Sequence, residues 1–186
     1  MQNALDDAYR LLDEFRRDPK VLKAMRQTVR LLVDAFRAGG KALSCGNGGS
    51  MSDAMHFAEE FSGRFRNDRP PLPAIALSDP AHMSCVANDY GFDFVFSRQV
   101  EALGKSGDVL VVLSTSGNSP NVILAAEKAR EKKVSVVGCL GRGGGRLGPL
   151  CDVVLHAPGQ GSDRIQELHM LALHAIIEAV ENEMGF

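Results

Sequence analysis

His56 and Glu60 stand four residues apart in the segment SCGNGGSMSDAMHFAEEF, residues 44–61. On a helix that spacing puts an imidazole and a carboxylate on one face. Such a pair can pass a proton, and both groups are ligands for a divalent metal such as zinc. A fully exposed pair of this kind is usually a minor solvated contact. Here Met55, Phe57, Ala58 and Phe61 give the helix a largely apolar surround. A carboxylate drawn partly out of water has a raised pKa, which suits a general base. Glu59 lies about 100° round the helix from Glu60 and is expected to face solvent.

Two bends sit where such a pair would need a substrate. CGNGGS follows the apolar run Lys41 to Cys45 and opens the helix of His56. Asn47, Gly48 and Gly49 let the chain turn there and bring backbone N–H groups to an anion at a helix start. STSGNSPN, residues 114–121, follows the apolar run Val109 to Leu113. Ser114, Thr115, Ser116 and Ser119 supply hydroxyls, Ser119 is expected to cap the next helix, and Pro120 fits its first turn. Either bend alone reads equally as a well-capped turn. Two of them at two strand ends point into one crevice suited to a phosphate. No lysine completes GxxxxGK[ST], which argues against a nucleotide triphosphatase. Gly143, Gly145 and Gly148 match GxGxxG, but no substantial helix follows them, so no dinucleotide is expected.

A third polar cluster lies in DRIQELHMLALH, within the helix expected over Asp163 to Met184. That helix is apolar almost all round and is expected to be buried. Gln166, His169 and His174 are then costly unless paired. Gln166 and His174 lie about 80° apart on the helical wheel, with His169 on the other side of Gln166. Periodicity does not choose between the two histidines.

The elements that must position these groups follow from the hydrophobic pattern. Five short apolar runs, Lys41 to Cys45, Ala74 to Leu77, Val109 to Leu113, Val134 to Cys139 and Val153 to His156, alternate with helical stretches. They are continuous rather than alternating, as parallel strands covered on both faces are. The fold expected is α/β, a three-layer sandwich around a five-stranded parallel sheet. In such sheets ligands bind beyond the strand carboxyl ends. Ahead of it, Asn3 to Arg17 and Val21 to Ala38 read as two amphipathic helices. The narrow apolar stripe of the first either covers its own domain or packs on another subunit. The 186 residues fit one domain, residues 1–186, with 1–38 a helical pair suited to oligomerisation.

The 45% hydrophobic and 24% charged content is that of an ordinary globular chain, and the net charge of −2 speaks against nucleic acid or an acidic membrane as the main partner. No apolar run is long enough to span a membrane, and the charged first residues hold no signal core. Cys45, Cys85, Cys139 and Cys151 form no CxxC pair and read as reduced core thiols, which suits a cytoplasmic protein.

Taken together, CGNGGS with DAMHFAEEF, ANDYGFDFVFSRQV, STSGNSPNVI and DRIQELHMLALH closely resemble the sugar isomerase (SIS) domain family, over nearly the whole chain. The resemblance implies a flavodoxin-like SIS fold. It also implies an aldose–ketose isomerase that converts sedoheptulose 7-phosphate to D-glycero-D-manno-heptose 7-phosphate through an enediol(ate), for bacterial lipopolysaccharide heptose. Carried over, Glu60 and His174 are the proton-transfer pair, with roles that could be exchanged. Ser114, Thr115, Ser116 and Ser119 hold the phosphate. Asn47, Gly48, Gly49, Asn88, Asp89, Glu60 and Gln166 line the sugar site, with Arg64 and Asp163 as weaker candidates. The resemblance further implies zinc held by His56, Glu60, Gln166 and His174, no nucleotide or organic cofactor, and a homotetramer with active sites between subunits. Relatives of another kind are tetrameric regulators of a replication initiator. Those tend to lack the Glu and the final His that this chain carries. Isomerisation of another sugar phosphate is the remaining alternative.

Overall fold

A computed structural model describes residues 1–186 as seven α-helices around a parallel sheet of five strands in the order β2-β1-β3-β4-β5. The chain runs α1 (Gln2–Arg17), α2 (Pro19–Arg37), β1 (Ala42–Gly46), α3 (Gly49–Ser62), β2 (Ala74–Ala76), α4 (Pro80–Asp89), α5 (Val95–Leu103), β3 (Val109–Ser114), α6 (Pro120–Glu131), β4 (Ser135–Leu140), β5 (Val153–His156) and α7 (Ser162–Met184). The expected three-layer α/β sandwich is present. In β3, Val109, Val111 and Leu113 point into one core with α1, α2, α3 and α7. Leu110 and Val112 point into the other, with α4, α5 and α6. The period-2 pleat thus feeds two apolar layers from one uninterrupted apolar run.

Most of the expected strands shift by one residue because the hydrogen-bond ladder carries on into the bends: β1 ends at Gly46 and β3 at Ser114. β2 is only three residues long, and as an edge strand led in by Pro70, Pro71 and Pro73 it cannot extend its ladder. Proline at the first turn starts α2, α4 and α6. The Asp18 and Asp79 side chains accept from Lys20 N and His82 N and cap α2 and α4. Ser119 stands at the N-cap of α6 but makes no capping bond, contrary to expectation. Its hydroxyl is instead 3.5 Å from the Ser114 hydroxyl, inside the bend.

One element is new and two further expectations are corrected. α5 was not foreseen: its nine residues bury Val95, Phe96 and Val100 from a run too short to show a helical period. α7 is not covered all round. Ile165, Leu168, Leu173 and Ile176 face the core, while Leu171 is 43% exposed. Cys85 is exposed, so only Cys45 and Cys139 are fully buried thiols, and all four cysteines are free. No helix is long and apolar enough to cross a membrane.

Both α3 and α7 start near the carboxyl edge of the sheet, run back along the same face and pack against each other. The STSG bend is tied to the loop after β4, where Leu147 N donates to Gly117 O at 2.9 Å. Gly117 has φ +65°, and a Cβ there would overlap the Gly144 carbonyl. Gly117→Ala should therefore destabilise the fold by about 2 kcal/mol or more. Gly143→Ala, at φ +82° with open space around its Cβ, should lose clearly less. Urea denaturation of both variants checks this, and equal losses would contradict the tie between bend and loop.

Candidate active site

The bends after β1 and β3 and the start of α7 enclose a cavity of ≈ 230 Å³. Its lining is Asn47, Ser50, Leu113, Ser114, Thr115, Ser119, Ser162 and Gln166. Five hydroxyls thus converge beside the N-termini of α3 and α6, a setting for an anion with several oxygens. Ser114 Oγ accepts from Gly117 N at 3.1 Å, and Thr115 Oγ1 lies 3.2 Å from Ser162 Oγ. The Asn47 and Asn121 amides exchange two hydrogen bonds of 2.9 Å, which lock the two bends together. Gly48 takes φ +56°. A Cβ on Gly49 would stand 2.7 Å from the Gln166 amide oxygen, so only glycine admits that side chain. Ser116 turns inward on its own bend, its hydroxyl accepting from Asn118 N at 3.1 Å.

The second cluster lies farther along the same two helices. Glu60 Oε1 is 3.3 Å from His56 Nε2 and 3.5 Å from His174 Nε2. The Glu60 side chain is 10% exposed, against 46% and 39% for the two imidazoles. Its other oxygen, Oε2, is buried with no partner. Burial pushes the Glu60 carboxyl above the usual carboxylate range, while His174 and then His56 pull it back. Phe65 stacks on His174 at 5.9 Å, and the two imidazoles meet edge to face at 5.2 Å. Glu59 is exposed as expected.

The three ligand atoms lie within 4.8 Å of one another. Ligands of a tetrahedral zinc, at about 2.0–2.2 Å from the metal, stand about 3.4 Å apart. Glu60 meets that spacing to both histidines, and its orphaned Oε2 is left for a further partner. The donor set of two imidazoles and one carboxylate suits zinc.

The structure does not bring every expected residue into these clusters. Gln166 Nε2 sits 3.3 Å from Ser50 Oγ at the cavity, and eight helical residues carry His174 about 12 Å farther along the axis. Within one chain Gln166 therefore does not join His56, Glu60 and His174. Asn88 and Asp89 end α4, exposed and bonded to each other at 2.7 Å, outside the cavity. Arg64 is exposed, and Asp163 pairs with Arg164 at 3.3 Å.

The SIS domain family profile matches residues 5–141. Over 186 residues the chain is 51% identical to phosphoheptose isomerase of Edwardsiella ictaluri, covering all of this chain and 96% of that protein. It is 50% identical over 185 residues to the Salmonella paratyphi B phosphoheptose isomerase, covering 99% and 96%. Among solved structures, the Neisseria gonorrhoeae phosphoheptose isomerase superposes with a TM-score of 0.91 at 39% identity, over 97% of this chain and 96% of that one. The Francisella tularensis enzyme gives 0.92 at 35% identity over the same shares. This chain belongs to the phosphoheptose isomerase family of SIS-domain proteins. It is an isomerase, and the regulatory alternative falls away.

Several residues of this candidate site escape sequence reasoning. Ser50 and Ser162 reach the cavity only because α3 and α7 start side by side. Asp53, on the Glu60 face of α3, keeps Oδ2 buried and unpartnered, and burial raises its carboxyl although His56 opposes. The spacing of 50, 53, 56 and 60 on one helix was the signal available for these.

His169 resolves the choice between the two histidines. It is 2% exposed, points into the core and has no hydrogen bond of good geometry on either ring nitrogen. Burial drives its pKa from 6.5 down to about 4, with the Leu140 carbonyl opposing. The unfolded chain therefore takes up a proton below pH 6.5 that the folded chain refuses. Stability is intact above pH 6.5 and falls as pH drops toward 4, by on the order of 3 kcal/mol in all. Denaturant titrations between pH 7 and 4 should show this slope in the wild type and a flatter one in His169→Phe. Equal slopes would contradict it.

Proposed function

We propose that this chain interconverts sedoheptulose 7-phosphate and D-glycero-D-manno-heptose 7-phosphate by proton transfer through an enediol(ate). The observation that carries the reading is the Glu60 carboxylate, one oxygen within 3.5 Å of two imidazoles and the other buried without a partner. A carboxylate half withdrawn from water accepts a proton from carbon more readily than an exposed one. In this reading Glu60 takes the proton from C1 of the ketose, and the released electron pair forms the C1–C2 double bond. The carbonyl oxygen at C2 gains a proton. The hydroxyl at C1 then gives one up, and the proton held by Glu60 returns to C2. His174, more exposed and 3.5 Å away, serves the oxygens. The hydroxyl-lined cavity holds the phosphate.

His56, Glu60 and His174 would hold a zinc ion, which when bound would polarise the sugar oxygens as a Lewis acid. Two features support an assembly of several copies with shared sites. Extended sedoheptulose 7-phosphate spans eight bonds of about 1.5 Å from C1 to phosphorus, roughly 10 Å as a zigzag. Cavity and trio lie about 12–15 Å apart along the helices of one chain. In addition, Met55 beside the trio is 48% exposed and Leu171 43%. An apolar rim of this kind suits cover by a second copy. In the proposed homotetramer the cavity and Gln166 of one copy face the trio of another, which completes the four-ligand set His56, Glu60, Gln166 and His174. The exposed Leu5 and Tyr9 of α1 make residues 1–38 part of that assembly. The chain is read as a single domain acting in the cytoplasm, supplying heptose for lipopolysaccharide.

Glu60→Gln and His174→Gln should each lower turnover of sedoheptulose 7-phosphate in a coupled assay by about 100-fold or more. Their assembly mass by light scattering should stay at the wild-type value. Near-normal turnover in either would remove that residue from the mechanism. Mixing Glu60→Gln subunits with Ser114→Ala/Ser119→Ala subunits after dissociation should restore measurable turnover that neither has alone. No recovery in verified hybrids would mean that each site is built within one chain.

A further inference from the structure

Glu60 occupies the last turn of α3, where helices fray because their final carbonyls have no partner within the helix. The ordinary remedy is missing. The residue after the helix, Gly63, has φ −95°, so no left-handed glycine cap closes the turn. The partner comes from the proline-rich segment that follows. Arg69 Nη2 donates to the Glu60 carbonyl at 2.7 Å, and Nη1 donates to the Phe61 carbonyl at 2.8 Å and the Pro70 carbonyl at 3.1 Å. Its Nε donates to Glu181 Oε1 at 2.5 Å. Glu181 belongs to α7, two turns beyond His174. Both side chains are almost wholly buried, 1% and 9% exposed.

One guanidinium therefore ties the last turn of the Glu60 helix to the helix of His174. We propose that Arg69 is a positioning residue, which acts through the Glu60 main chain to hold the carboxylate at its working distance from His174. Arg69 touches neither the hydroxyl-lined cavity nor any imidazole, so it acts on the proton-transfer geometry and not on phosphate binding. The planar fork is essential to this role, because a lysine ammonium cannot serve two carbonyls and a carboxylate in those fixed directions. Carbonyl partners at the carboxyl end of a helix also favour a cation there. The inference rests on Glu60 as proton acceptor for its kinetic consequence, but not for its structural one.

Two variants test it. Arg69→Lys keeps the charge beside Glu181. Arg69→Met/Glu181→Leu replaces the buried pair with apolar groups of similar bulk, a change that such pairs often tolerate, and guards against a fold left with one unpaired charge. In both, kcat should fall about 10- to 100-fold, the size expected for a misplacement near 1 Å, with KM within about twofold. Placed on Glu60→Gln, they should add no further loss. Their crystal structures should show Glu60 drawn off His174, beyond the present 3.5 Å. The role is overturned if the carboxylate keeps its place, if kcat is unchanged, or if the loss recurs in full on Glu60→Gln. A wild type without turnover on sedoheptulose 7-phosphate would end the functional reading, and the variant structures would still judge the clamp.

Discussion

A carboxylate buried at a seam between two helices is the constraint on which this structure turns. Glu60 needs partners because burial makes its charge costly. It finds them in His56, one turn back on its own helix, and in His174, 114 positions away in sequence by subtraction of the residue numbers. The local partner comes from helix geometry alone. The distant one requires α3 and α7 to lie side by side in the same direction, and the sheet dictates that. Both helices start near the carboxyl edge of parallel strands and return along one face: the right-handed β1–α3–β2 crossover sets the side of α3, and α7, which follows β5, packs beside it.

The same arrangement separates two tasks. At the starts of the two helices, backbone N–H groups and hydroxyls gather at the cavity, where the positive helix ends favour an anion. Near the end of α3 there is no such field, and two imidazoles and a carboxylate gather instead. The division suits a substrate that carries its charge at one end and its reactive carbons at the other. It also explains the half-exposed imidazoles and the apolar rim beside them. One copy offers a polar site without a wall on one side, and in the proposed assembly a second copy would supply the wall. The Arg69 fork then has a clear physical place, since a reacting group on a terminal helical turn needs an anchor from outside the helix.

Much of this was legible in the chain. Five apolar runs alternating with helical stretches gave the layered fold, because parallel strands buried on both faces must be apolar throughout. The pairing of His56 with Glu60 followed from a spacing of four. The part played by His174 did not, since His169 satisfies the same local pattern and only the packing of α7 turns one into the core and the other toward Glu60. Ser50 and Ser162 looked like ordinary helix-start residues until two helix starts met. Gln166 read as a neighbour of His174 on the wheel, yet the axial rise of eight residues, which a wheel hides, keeps them apart. Arg69 was invisible, because nothing in RNDRPPLP announces a guanidinium that caps a helix behind it and pairs with Glu181. Residues joined by periodicity could be read, and those joined by crossing distances could not.

The central claim is that a proton leaves one carbon for Glu60 and returns from it to the next. Running the wild-type reaction in deuterium oxide and reading the product by proton magnetic resonance tests this most directly. The account predicts deuterium at C2 of the aldose that builds up over repeated turnovers, because a proton held on a carboxylate exchanges with solvent in a share of them. An equilibrated mixture still free of deuterium at C2 after many turnovers would mean that hydrogen passes between the carbons as a hydride rather than through a base, and would contradict it.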